Sequence, residues 1–146
     1  MSQLPLFDTN VLISAAYRPY IHLLADYFMA TVVVQELLVG LDPQQQKELI
    51  GQANELHKRG RLIVPDRDDW VQVGVCLSRL IKGRETHGGH LTKPAANMLV
   101  RDALIARCAI KTDAQVITSD EDDFGRIKTV FRALKFIVDP GFWTRQ

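Results

Sequence analysis

The chain of 146 residues has no long apolar run: no window approaches the length that spans a bilayer, and the opening MSQLPLFDTN has no basic stretch followed by an apolar one. A membrane anchor and a cleaved leader are therefore not expected, and a cytoplasmic location is. Cysteine is scarce. Cys76 and Cys108 both lie in apolar helical patterns without a Cys-x-x-Cys partner, which favours small buried thiols in a reducing compartment over zinc ligands or a disulfide. Charge of one sign is also lacking, because a net charge of +1 gives no general pull toward nucleic acid and leaves that task to a local patch. The clearest patch runs from Arg79 to Lys93, where Arg79, Lys82, Arg84 and Lys93 against Glu85 leave +3 with histidines neutral, although a solvated loop has the same composition. The four histidines, His22, His57, His87 and His90, show no ligand spacing and are expected at the surface, with His87 and His90 able to touch phosphate. No repeat, low-complexity segment or linker interrupts the chain, so residues 1–146 are expected to form a single domain.

What is present is an alternation of apolar runs and amphipathic stretches. Residues 4–7 read as a buried strand entering a short helix over Val11, Leu12 and Ile13, which Pro19 ends. Residues 21–29 have helical spacing, and Thr31-Val32-Val33-Val34 is β-branched enough to be a second strand, with Glu36 directly after it on a helix reaching Leu41. Pro43 opens a longer helix closing at Gly60, and residues 62–64 read as a third strand. Asp66 or Asp68 caps a helix to about Ile81, followed by a loop from Gly83 to Thr92 that is either a substrate-positioning flap or plain surface. Pro94 starts a helix reaching about Lys111, residues 115–118 form a fourth strand, residues 119–127 a short helix, and residues 136–138 a fifth strand. This order predicts a three-layer α/β/α sandwich around a mainly parallel sheet.

Against that background four acids stand out. Asp8, Glu36, Asp102 and Asp120 sit in or beside the most apolar stretches, where an unpaired carboxylate costs several kcal/mol. A shared divalent cation would offset the desolvation of all four. Asp8, Glu36 and Asp120 fall where ligands gather in an open parallel sheet, beyond the carboxyl ends of strands. Asp102 shares a helical stripe with Met98, Leu99, Ile105 and Ala106, and its plain alternative is an ion pair with Arg101 or Arg107. Thr9 and Asn10 suit a turn and helix cap and can also orient Asp8, while Thr118 and Ser119 are strand-end hydroxyls beside Asp120. Gly40 is sufficiently explained as a helix end, and Phe142 and Trp143 either close the core or serve an interface.

Four segments taken in order, Phe7-Asp8-Thr9-Asn10-Val11-Leu12-Ile13, Glu36-Leu37-Leu38-Val39-Gly40, Arg101-Asp102-Ala103-Leu104-Ile105-Ala106 and Thr118-Ser119-Asp120-Glu121-Asp122-Asp123-Phe124, resemble the motifs of the PIN domain. Within that family the chain is most similar to the VapC-like toxins of bacterial toxin–antitoxin pairs. The resemblance implies a Mg²⁺- or Mn²⁺-dependent endoribonuclease with Asp8, Glu36, Asp102 and Asp120 as catalytic residues and Asp8, Asp102, Asp120 and Asp123 around the metal. It leaves open which of Asp120, Asp122 and Asp123 points inward. Hard divalent cations take oxygen ligands and activate water for in-line attack on phosphorus, which agrees with these residue types. The implied partners are an RNA substrate, with tRNA a candidate, a cognate antitoxin whose C-terminal segment enters the acidic groove, and a second copy in a homodimer.

Three other readings compete. A catalytically silent PIN-like module would keep the pocket to bind RNA or metal. A phosphatase of the haloacid dehalogenase type needs a second aspartate two positions after the first, where this chain has Asn10, and a receiver domain needs paired acids after the first strand.

Overall fold

Five strands, all paired in parallel, form the central layer of the computed structural model, which describes residues 3–21, 23–83 and 91–143. Strand β1 (Pro5–Phe7) pairs with β4 (Gln115–Thr118), Leu6 opposite Val116 and Phe7 opposite Ile117, and β4 pairs onward with β5 (Phe136–Val138). A parallel bridge from Leu6 to Phe28 joins β1 to a ribbon of β2 (Met29–Ala30) and β3 (Leu62–Ile63).

Because strand side chains alternate, Leu6 and Val116 enter one core and their neighbours Phe7 and Ile117 another. The first is large, containing Val33, Val73, Leu80, Ala103, Leu104 and Phe124 from helices that cover that face. The second is thin: Val11, Ile21 and Phe142 cover Phe7 and Ile117, and the Trp143 ring stacks on Phe7 at 5.8 Å. Phe142 and Trp143 thus close a core. The result is the α/β/α sandwich that the alternation of patterns predicted.

Helix α5 (Arg67–Lys82) shows how locally the helices are set. Asp66 accepts from the Asp69 backbone N–H and Asp69 accepts from that of Asp66, both at 2.9 Å, and Gly83 ends the helix at φ +77, a conformation costly for any residue with a Cβ. Asp42 and Gln45 form the same reciprocal cap on α4 (Pro43–Lys58).

Four expected elements differ. Residues 31–34 are helical, within α3 (Thr31–Val39), and the strand lies just before them at Met29–Ala30. β-branching disfavours a helix by only a few tenths of a kcal/mol per residue, which burial of Val33 outweighs. Glu36 therefore sits inside α3 rather than at a strand end. Among the described residues no helix covers 23–29: α2 spans Arg18–Ile21, with Pro19 in its first turn, and it follows α1 (Thr9–Ile13). Asp26, accepting from the Tyr27 N–H at 2.9 Å and from Arg61 Nε at 2.6 Å, then holds the chain extended into β2.

The helix expected from Pro94 to Lys111 is two, α6 (Lys93–Asn97) and α7 (Val100–Thr112). The turn between them buries Leu99 and leaves Met98 in solvent, and it places Asp102 in the first turn of α7 rather than mid-helix. An acid there faces the positive end of the helix dipole, so it does not weaken the helix as a mid-helix aspartate would. Helix α8 (Glu121–Val130) starts two residues later than expected, with Asp120 as its N-cap. His22, His87 and His90, and residues 84–90 of the candidate flap, lie outside the described residues; His57 is exposed.

Candidate metal centre

The carboxyl ends of β1 and β4 lie side by side, so the residues that follow them meet. Asp8, immediately after β1, caps α1: its Oδ1 accepts from the Thr9 N–H at 2.8 Å. Its Oδ2 accepts from the Thr118 hydroxyl at 2.8 Å, and that hydroxyl in turn accepts from the Asp120 N–H at 2.9 Å. Asp120 Oδ1 accepts from the Asp123 N–H at 3.0 Å, while the Thr9 hydroxyl donates to Glu36 Oε1 at 3.1 Å. One string of hydrogen bonds therefore runs Glu36, Thr9, Asp8, Thr118, Asp120, Asp123.

Asp102 comes to this string from α7. Asp102, Asp120 and Asp123 each offer an oxygen, all within 4.8 Å of one another. Asp8 and Glu36 are outside that trio but near enough for their charges to act on Asp102. Of the acidic tract, Asp120 and Asp123 are half-buried in the cluster and Glu121 and Asp122 are exposed. Asn10 and Ser119 are also exposed, and among the described residues neither side chain bonds to the cluster.

Electrostatically the cluster is under-compensated. Burial, with the charges of Asp8, Asp123, Asp120 and Glu36 added, pushes the Asp102 carboxyl up to about 8. Burial also raises Asp8, which is only 5% exposed, against the lowering effect of its bonds from Thr118 and Thr9. Asp123 is pushed up to about 6 by burial and then by Asp120, with Arg126 opposing. Neither arginine suggested as a partner for Asp102 meets it: Arg101 Nη1 lies 3.8 Å from Glu36 Oε2, and Arg107 turns to Asp68 and Asp69. The donors are all hard oxygens and Asp8 and Asp102 meet no cation among the described residues, so the set fits a hard divalent ion.

A second buried acid escaped the sequence reading. Asp69 is 1% exposed, with Lys111 Nζ at 2.7 Å and Arg107 Nε at 3.1 Å. Burial would raise it, but the bonds from Lys111, the Asp66 N–H and Arg107 prevail and its pKa is lowered. Its signal was available: Asp69 shares the stripe of Val73, Cys76 and Leu80, and Arg107 and Lys111 repeat at four residues on α7. Cys76 and Cys108 are buried free thiols, pushed up by burial to about 11 and about 12.

Beside the cluster opens a cleft of about 530 Å³ whose walls include Leu12, Ile21, Leu37 and Leu41, with Thr9 and Glu36 at the acidic side. Among the described residues no helix is long and apolar enough to cross a membrane.

Residues 6–130 match the family model of the PIN domain, and the chain belongs to that family. Its fold is similar to that of FitAcB from Neisseria gonorrhoeae, at 19% identity and TM-score 0.57 over 92% of this chain and 96% of that one. It is similar in the same degree to VapBC2 from Rickettsia felis bound to a DNA fragment from their promoter, 19% identical with TM-score 0.57, covering 92% of this chain and 98% of that one. FitAB bound to an IR36 DNA fragment aligns at 19% identity and TM-score 0.52, over 92% of this chain and 94% of that one. No curated protein matches by sequence.

Proposed function

We propose that this chain is a Mg²⁺- or Mn²⁺-dependent endoribonuclease and the toxin of a VapBC-type toxin–antitoxin pair, folded as one domain. The supporting observation is the grouping of Asp102, Asp120 and Asp123 within 4.8 Å, backed by buried Asp8, with no cation on Asp8 or Asp102 among the described residues. PIN domains are in general nucleases, which agrees with such a pocket. An ion held by Asp8, Asp102, Asp120 and Asp123 would neutralise their charge, activate water and stabilise a leaving oxygen at phosphorus.

The chain's own contribution is preorganisation. Thr118 fixes Asp8 and Asp120 relative to each other with one hydroxyl, so the acids need little rearrangement on binding. Thr9 holds Glu36 at the edge of the cluster, within reach of a proton released from an attacking water. The apolar cleft beside Glu36 suits an amphipathic antitoxin segment whose basic residue would face the acids. RNA, with tRNA a candidate, is the substrate, and the working form is a homodimer.

Purified protein incubated with total RNA should cut at discrete sites with Mg²⁺ or Mn²⁺ and stop on addition of EDTA. Asp102→Asn should lower kcat about 100-fold or more, since removing a metal-holding group should exceed the 10–100-fold usual for groups behind it. Metal and RNA binding without any cleavage would instead establish the silent module.

A further inference from the structure

The hydrogen-bonded string across the acidic cluster has an arginine at each end. At one end Arg101 Nη1 stands 3.8 Å from Glu36 Oε2, and at the other Arg126 Nη1 stands 3.8 Å from Asp123 Oδ1. Both contacts exceed hydrogen-bond length, and both side chains reach solvent, at 59% and 36% exposure. They differ from Arg107, which is 20% exposed and bonded to a buried acid at 3.1 Å. A loosely held, exposed guanidinium keeps its donors for another anion, and it binds phosphate in two-pronged fashion. Both arginines rise from the helices that deliver the acids: Arg101 precedes Asp102 on α7, and Arg126 lies one turn beyond Asp123 on α8.

Resting on the ribonuclease reading, we propose that Arg101 and Arg126 are substrate-positioning residues that hold the phosphates on either side of the scissile one. As RNA enters, each exchanges its carboxylate for a phosphate oxygen. The acids between them are then freed for the ion, and the strand is stretched across the pocket. The contacts reach phosphate alone, so they fix register and confer no base preference.

The test is binding of a single-stranded RNA oligonucleotide in Ca²⁺, read as Kd against salt concentration, beside cleavage in Mn²⁺ and titration of Mn²⁺ alone. Arg101→Ala and Arg126→Ala should each weaken RNA binding about 5-fold and reduce the slope of log Kd against log salt by about 0.7, the value for one phosphate contact on a single strand. Arg101→Lys and Arg126→Lys should keep the slope, and Mn²⁺ affinity should stay level or rise in all four variants. Arg→Gln, which keeps side-chain length, replaces Ala wherever the unfolding midpoint falls.

Wild-type RNA affinity and salt slope in both neutral variants would overturn the proposal even if cleavage persists, and loss of Mn²⁺ affinity with unchanged RNA binding would reduce the arginines to supports for the carboxylates and overturn it too. Arginine-dependent RNA binding without cleavage would sink the nuclease reading and leave the positioning role in place.

Discussion

Asp8 and Asp69 are both nearly sealed from solvent, yet they live in opposite surroundings. Asp69 is met by Lys111 and Arg107, whose bonds lower its pKa against the effect of burial. Asp8 is met by hydroxyl and backbone donors and by other acids, and its pKa rises. Burial alone therefore says little about a carboxylate's purpose. What decides it is whether the chain supplies the counter-charge: Asp69 fastens α5 to α7, whereas the Asp8 cluster leaves its charge for something from outside.

That contrast can be broken at either side. The largest stability effect should come from Asp69→Asn, which leaves Arg107 and Lys111 without their buried partner. We expect a loss of about 3 kcal/mol in urea unfolding, at the low end of the range for a broken buried pair because both cations also reach water. Cleavage per folded molecule should be unchanged. A variant as stable as the parent would show that the two centres differ less than their geometry implies.

Acidity separates the centres by sign. Asp102 binds its proton more tightly in the folded chain, with a pKa near 8 against an ordinary 3.8, so the stability it contributes is complete below about pH 3.8 and drains away as pH climbs to about 8. Asp69 runs the other way: its lowered pKa gives stability that is present above the ordinary carboxylate range and lost as pH falls through the folded value. Metal-free protein should thus lose about 2 kcal/mol between pH 5.5 and pH 8, less than the full shift implies because the half-buried site admits water. Asp102→Asn, or millimolar Mg²⁺, should flatten that slope, as urea midpoints at the two pH values will read.

The smallest effect tests the string itself. Thr118→Val keeps the shape of a fully buried side chain but strips Asp8 of a donor and the Asp120 N–H of an acceptor. Mn²⁺ affinity, measured by titration calorimetry, should fall about 10-fold, as for other groups that orient metal-holding residues.

Much of this arrangement was legible in the sequence, for identifiable reasons. Asp8 and Asp120 follow short apolar strands, and a parallel sheet brings strand ends together whatever the intervening chain does. Asp102 was legible as an acid in an apolar stripe, but the turn at Met98 and Leu99 was not, because no glycine or proline lies between Asn97 and Val100 to mark it. The helix at Thr31 was misread because local β-propensity is weak against tertiary burial. Asp69 was passed over as one of three acids at a helix start, although its place in the stripe of Val73 and Cys76 set it apart from Asp66 and Asp68. Thr9 was legible as a cap residue able to orient Asp8 and Thr118 as a strand-end hydroxyl beside Asp120, but only the spatial neighbours reveal that Thr9 reaches Glu36 and that Thr118 joins Asp8 to Asp120.

The two tryptophans give the molecule its own optical readout. Trp143 lies flat on Phe7, the residue before Asp8, while Trp70 adjoins Asp69 and is 55% exposed. Emission from the first should be blue and shielded from iodide, and from the second red and quenched, so Trp70→Phe and Trp143→Phe would let one spectrometer watch either carboxylate neighbourhood separately.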